Sequence, residues 1–309
     1  MTASLDTLTA KVDAGEPLSD QDIAALGSTR DIITLGMLAT TVRRRLHGND
    51  VTYVRVMDID LGDNADLKVG TTNDNATDGV TGVVPTFRSA GEIRIFQTPQ
   101  TLDAAIAVVE QARDIAGETP LSAFCLFELG KLSEGLPVVL AALKKAGLST
   151  ITQAPIDKLK EPERALESLA DAGLVLARLT VNDTPEREWT AVCRDVAALQ
   201  TRVRAIRMFA PLARKIDDTQ PTTGYEDVKR VALSRLLAAN VDSIQVDWAL
   251  YGPKLAQVAL TFGADDIDSV DAEDDQSQGR RRSPVEEIRR SIQAAGFEPV
   301  ERNGRFERR

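Results

Sequence analysis

A chain of 309 residues with 43% hydrophobic content can bury a large core, as one α/β barrel or as two smaller domains. Its 37 basic and 47 acidic residues leave a net charge of -10, which opposes non-specific attraction to nucleic acid or an anionic membrane. Small molecules or proteins are the expected partners, with homo- and hetero-oligomers both open.

No apolar run approaches the ~20 residues that cross a bilayer. The start, "MTASLDTLTAKVDAGE", lacks the apolar core of a signal peptide, so the expected location is the cytoplasm. Residues 1–50 read as a helical extension. Ser19 is placed to cap "DQDIAALG", and Ile32, Leu35, Leu38 and Val42 recur at helical spacing. His47, the single histidine, ends that helix in "RRRLHG" and is expected to be exposed. With two cysteines, Cys125 and Cys193, each in an apolar pattern, the sequence predicts buried thiols, no disulfide framework and no Cys/His metal site.

"VTYVRVMDIDL" has strand character. From Gly62 to Gly91 the chain turns to Gly, Asp, Asn and Thr, the composition of a long loop. Strands and helices then alternate: "EIRIF", "TLDAAIAVVEQARDI", "LSAFCLF", "EGLPVVLAALKKAG", "LVLARLTV", then a helix capped by Thr184 with Pro185 at its first position. "RAIRMFA", "YEDVKRVALSRLLAAN", "SIQVDWAL" and a helix opened by Pro253 and closed by Gly263 complete the series. Repeated βα units imply a parallel sheet, here a TIM-type (βα) barrel over residues 51–270. Residues 271–309 read as a charged linker and a C-terminal helix with Ser283 as cap and Pro284 at its first position.

Barrel sites form where strands end. Gln245 and Asp247 take the inward face of "SIQVDWAL", opposite Ile244, Val246, Trp248 and Leu250. Asp247 is then a ligand contact or a member of a structural network. Glu128, Arg178, Asn182 and Arg207 lie near other strand ends; Glu128 and Arg207 either hold a charged small molecule or pair within the protein. No P-loop, dinucleotide glycine pattern or serine elbow is present, which leaves carboxylates as acid or base groups.

Three stretches carry a resemblance: "LGMLATTVRRRLHGNDVTYV", "NDTPEREWTAVCRDVAALQ" and, most specific, "VALSRLLAANVDSIQVDWALYGPKLAQVALTFGADDIDS". The chain resembles the radical S-adenosylmethionine enzymes of the futalosine route to menaquinone, aminofutalosine synthase and its relatives, which are similar to deazaflavin-cofactor synthases. The resemblance covers roughly residues 10 to 300 and implies a barrel with helical extensions. It implies that the helix ending at Gly263 and Ala264 closes the barrel. An acidic loop with Asp265, Asp266 and Asp268 would follow near the substrate, and Glu128 matches a family glutamate after the third strand.

The departures from that pattern shape the functional expectation. The family holds a four-iron cluster with three cysteines after the first strand; here Ala65, Val69 and Thr72 take those positions. Gln97 and Thr98 replace a Gly-Gly pair that admits the cofactor, and Gln153, Ala154 and Pro155 replace a glycine run. The cluster and S-adenosylmethionine are therefore expected to be lost, with no resident metal. The leading expectation is a non-catalytic paralogue that binds a menaquinone-pathway intermediate or partner enzyme. The alternatives are a cluster-free hydrolase or lyase using Asp247, Glu128 and Arg207, an interaction protein whose mouth is filled by residues 62 to 91, or an active pathway enzyme if the motif is placed differently.

Overall fold

The computed structural model describes residues 5–61, 67–69, 89–183, 188–215, 222–273 and 284–309. The chain divides into two compact units: Met1–Thr52 with Leu179–Asp268 and Ile288–Pro299, and Tyr53–Arg178 with Ser269–Glu287 and Val300–Arg309.

The first unit opens with α1 (Leu5–Ala14), α2 (Asp20–Ser28) and α3 (Ile32–His47). Ser19 caps α2 as expected: its hydroxyl accepts from the Asp22 backbone N–H, and Asp22 accepts from Ser19 in return. Lys11 and Ser19 draw the Asp22 carboxyl down to about 2. The apolar stripe Leu35, Leu38, Ala39 and Val42 buries against Leu8, Val12 and Leu26, and against Cys193, Ala232, Leu233 and Leu236 of α8 (Trp189–Val203) and α9 (Gly224–Leu237). Each Leu or Val of this set taken from water stabilises by roughly 1.5–3 kcal/mol, so the three N-terminal helices are part of this unit's core. The unit also holds β7 (Ile206–Ala213), β8 (Ser243–Asp247) and α10 (Trp248–Leu260), which breaks at Gly252, φ +76, just before Pro253.

The second unit contains most of β1 (Asp50–Leu61), then β2 (Leu67–Val69), β3 (Glu92–Ile95), α4 (Leu102–Ala116), β4 (Leu121–Cys125), a single turn α5 (Leu126–Leu129), α6 (Leu136–Lys145), β5 (Thr150–Pro155) and α7 (Pro162–Asp171). The divide falls inside β6 (Val175–Val181), β9 (Asp266–Asp271), α11 (Pro284–Ala294) and β10 (Glu298–Arg302). Val108, Val109 and Ala112 of α4, Val139, Leu140 and Leu143 of α6, and Leu166 and Leu169 of α7 are buried.

Strand order is β10-β1-β3-β4-β5-β6-β7-β8-β9, and an additional β1–β9 pairing closes it. Met57 lies opposite Ile93, Arg94 opposite Ser122, Cys125 opposite Gln153 and Val246 opposite Ile267, all in parallel pairs. The fold is a closed eight-stranded parallel barrel with surrounding helices; β2 pairs antiparallel to β1 outside it.

The structure corrects the sequence reading at four places. The acidic stretch expected as a loop is β9, with Asp266, Ile267 and Asp268 all buried, because buried polar partners outweigh the poor strand propensity of aspartate. β8 stops at Asp247 rather than Leu250, since the Asp247 carboxylate accepts from the Leu250 N–H and starts α10. Trp248 and Leu250 are therefore helical. "LSAFCLF" is a strand only to Cys125, with Glu128 in α5. β5, α7 and β10 go beyond the sequence expectation. Thr184, Pro185 and Ser283 lie outside the described residues.

Candidate functional site

In the first unit, three strands deliver polar groups at their C-terminal ends. The β6–β7 pairing runs past the strands: the Arg214 N–H donates to Val181 O at 2.8 Å and the Lys215 N–H to Asn182 O at 2.9 Å. This fixes Arg214 beside the end of β8, where its Nη1 donates to Asp247 Oδ2 at 2.6 Å. Asp247 Oδ1 accepts the Leu250 N–H at 2.9 Å, so both carboxylate oxygens are engaged. Asp247 is 6% exposed and Arg214 18%, so the guanidinium keeps a solvent-facing edge.

Tyr251 joins this group by donating its hydroxyl to Ala213 O at 2.6 Å. Burial, reinforced by the charges of Asp227 and Asp247, pushes its phenol up to about 12. Asp227, in the first turn of α9, is 5% exposed, and its Oδ1 has no hydrogen-bond partner among the described residues. Burial raises its carboxyl above the ordinary aspartate range, opposed by a Thr222 hydrogen bond and by Arg230. The cluster thus combines an anchored cation, a protonated phenol and a carboxyl that holds a proton more readily than usual.

At the opposite ends of the strands, the first unit carries a sealed network. Asp265 accepts from Arg235 Nη2 at 2.6 Å and from the Ile244 N–H at 2.8 Å, and His47 Nε2 lies 2.8 Å from its other oxygen. These partners hold the Asp265 carboxyl below its ordinary value despite burial, and Asp265 raises His47 in turn. His47, expected to be exposed, has a side chain only 30% exposed because this carboxylate and Asp242 O capture it. Asp266 accepts from Thr52 Oγ1 at 2.5 Å and from Gln245 Nε2 at 2.7 Å; Gln245 also lies 2.9 Å from Met208 Sδ.

The second unit has its own buried polar ladder. Glu92 accepts from Arg94 Nε at 3.1 Å and Nη2 at 3.0 Å, and from the Ser122 hydroxyl; Arg178 Nη2 lies 3.5 Å from it. Arg94 reaches Ser269 Oγ at 3.3 Å. Arg94 and Arg178 are at most 1% exposed.

The structure therefore brings Asp247 and Asn182 to strand ends in one unit and places Arg178, Gln245, Asp265, Asp266 and Asp268 within buried surroundings. Glu128 and Arg207 do not form a pair. Glu128, 44% exposed, bonds Lys131 at 2.6 Å, while Arg207, 51% exposed, faces Asp242 at 3.6 Å beside a pocket of about 400 Å3. Gln97 is exposed, and Thr98 Oγ1 accepts the Cys125 N–H at 3.3 Å, steadying the end of β4. Val69 lies on β2 opposite Ile59; Ala65 and Thr72 are outside the described residues. The sequence reading missed Arg214, Tyr251 and Asp227. The available signal was position: Arg214 follows the last residue of β7, and Tyr251 lies one turn into the helix that Asp247 caps.

Residues 208–309 match the CofH/MqnC C-terminal region. The chain is 41% identical over 95 residues to an aminodeoxyfutalosine synthase of Streptomyces coelicolor, an alignment covering 29% of this chain and 24% of that protein. A second aminodeoxyfutalosine synthase, from Thermus thermophilus, aligns at 26% identity over 96% of this chain and 93% of its own length. Among solved structures, methylornithine synthase (PylB) superimposes with a TM-score of 0.64 at 13% identity, covering 96% of this chain and 97% of its own, which shows the shared fold.

These findings correct the cofactor expectation. The relatives and structural neighbours are radical S-adenosylmethionine enzymes, which use an iron–sulfur cluster and S-adenosylmethionine, and the comparisons do not show that either has been lost. The thiols set a narrower constraint. Cys193 is buried against Ser234 Oγ with its thiol pushed up to about 12, and burial also raises Cys125. Two such thiols do not supply the three-thiolate set that the resemblance implies, so a cluster held by this chain alone would need another ligand. No helix among the described residues is long and apolar enough to cross a membrane. The C-terminal third of the chain, residues 208–309, matches the CofH/MqnC C-terminal region, and the chain as a whole is similar to aminodeoxyfutalosine synthases.

Proposed function

We propose that this protein serves the futalosine route to menaquinone by binding a pathway intermediate at the C-terminal strand ends of its first unit. The observation that carries the reading is the Arg214–Asp247 pair with Tyr251 and Asp227, located where barrel enzymes hold their ligands, in a chain aligned nearly end to end with an aminodeoxyfutalosine synthase. Asp247 orients Arg214, whose solvent-facing N–H groups suit a carboxylate or phosphate. Asp227 Oδ1 is buried beside this group with no hydrogen-bond partner among the described residues. Calorimetry with aminodeoxyfutalosine should show saturable binding, weakened about tenfold or more in Arg214→Ala by loss of a charge-assisted hydrogen bond. No binding, or binding indifferent to that substitution, would overturn the reading.

A second reading rests on Asp227, whose raised carboxyl suits proton transfer in a hydrolase or lyase step. It requires an activity whose pH profile loses one limb in Asp227→Asn; an unchanged profile would dispose of it.

A further inference from the structure

Between α5 and α6 on one side and the segment 158–165 with the start of α7 on the other, the second unit holds a pocket of about 630 Å3. Ligand pockets commonly span roughly 300–1,000 Å3. Its lining combines the apolar Leu126, Phe127, Leu136 and Leu159 with Lys131, Lys158, Lys160 and Arg164, and with one carboxylate, Glu161. Four cations converging on one pocket run against the composition of a chain with net charge -10.

Two of these cations, Lys131 and Arg164, have exposed partners that are easily exchanged. Lys131 pairs with Glu128 at 2.6 Å and also lies 4.3 Å over the Phe127 ring; Arg164 pairs with Glu161 at 3.3 Å; Lys158 stands 3.9 Å from Asp157. Lys160 makes no ion pair among the described residues. The Lys131–Glu128 and Arg164–Glu161 pairs are largely exposed, and exposed ion pairs contribute at most about 1 kcal/mol, so an incoming anion replaces them at small cost.

The backbone adds to the same field. Neither Gly135, the N-cap of α6, nor Glu161, the N-cap of α7, caps its helix with a side chain. Both helices present the positive ends of their dipoles beside the lysines. Gly135 has φ +83, and a Cβ added there would meet nothing within 4 Å, so the approach is open.

We propose that this pocket binds a small amphipathic anion, with one carboxylate or phosphate head among these cations and an apolar body against Leu126 and Phe127. The proposal is independent of the strand-end site. Its test is heteronuclear NMR titration of the full chain with phenyl phosphate, hexanoate and neutral hexanol. At least one anion should saturate, shifting resonances of α6 and α7, and hexanol should not; the anion that binds identifies the head group. The double substitution Lys160→Glu/Arg164→Glu should weaken binding about tenfold or more, and Ala165→Trp, which fills the pocket, should abolish it at an unchanged thermal midpoint. Failure of both anions to saturate, binding by hexanol as tight as by the anions, or binding unaltered in both variants would overturn the proposal.

Discussion

Two carboxylate–arginine pairs of the first unit share the same 2.6 Å separation and differ in what surrounds them. At the start of β9, Asp265 and Arg235 are buried to within 2% and fill their remaining valences with His47, the Ile244 N–H and Gly263 O. At the end of β8, Asp247 and Arg214 lie next to a phenol and an unusually proton-retaining carboxyl, with the arginine open to solvent on one edge. The same pair of side chains thus locks structure at one strand end and remains available for recognition at the other. Chemical type alone does not distinguish the roles; burial and the number of satisfied valences do.

The largest effect that would break this contrast is on folding. Asp265→Ala leaves the buried Arg235 charge without a carboxylate, with only backbone carbonyls such as Gly263 O as partners, which should cost about 3–5 kcal/mol. Asp247→Ala exposes Arg214 to water and removes a helix cap, which should cost only about 1–2 kcal/mol. Urea unfolding of both variants makes the comparison, and equal losses would erase the distinction.

Next in size is Gly263→Ala. Gly263 sits at φ +101, and an added Cβ would come within 2.8 Å of Arg235 Cβ and 3.0 Å of Ala39 Cβ. Strain of roughly 1–3 kcal/mol is expected, together with displacement of the arginine that holds Asp265. A variant as stable as the parent would show that this helix exit tolerates movement.

A smaller effect separates the two ends by pH. Because Asp265 raises His47 above its ordinary 6.5, the stabilisation from this pair is complete below pH 6.5 and is lost as pH rises through the raised value. The Asp265 contribution has the opposite limit: present above its ordinary 3.8, it disappears as pH falls through the lowered value. Stability attributable to the network should therefore be greatest between those limits, and His47→Gln should flatten the alkaline slope. A parallel slope in parent and variant would remove His47 from the network. The smallest stability change belongs to Arg214→Ala, expected within about 1 kcal/mol of the parent because the pair is partly solvated, although ligand binding should fall about tenfold or more.

Much of this architecture was legible in the sequence. Ser19 announced its helix through the Ser-x-x-Asp spacing, and the α3 stripe announced its buried face. β9 was hidden because the carboxylates at its entrance imitate a solvated loop, and only partners distant in sequence, Arg235 for Asp265 and Thr52 and Gln245 for Asp266, explain their burial. The site was legible in part for the same reason. Asp247 was identifiable from strand alternation, but Arg214 becomes significant only when the β6–β7 pairing continues past the strand ends. For Glu128 and Arg207 the alternatives left open in the sequence resolve into pairing with neighbours, Lys131 and Asp242, each near its own helix or strand.

The strand order has a consequence for biosynthesis. β1, among the first strands to leave the ribosome, pairs with β9 and β10, which are translated last among the described strands. Until they arrive, β1 has an unpaired edge that can recruit strands from neighbouring chains. Closing the sheet requires contacts between distant parts of the chain, a slow step when topology sets the rate. A nascent chain stalled before Asp266 would therefore be a substrate for chaperones, whereas release past Asp271 would allow the barrel to close and release past Arg302 would add β10 to β1.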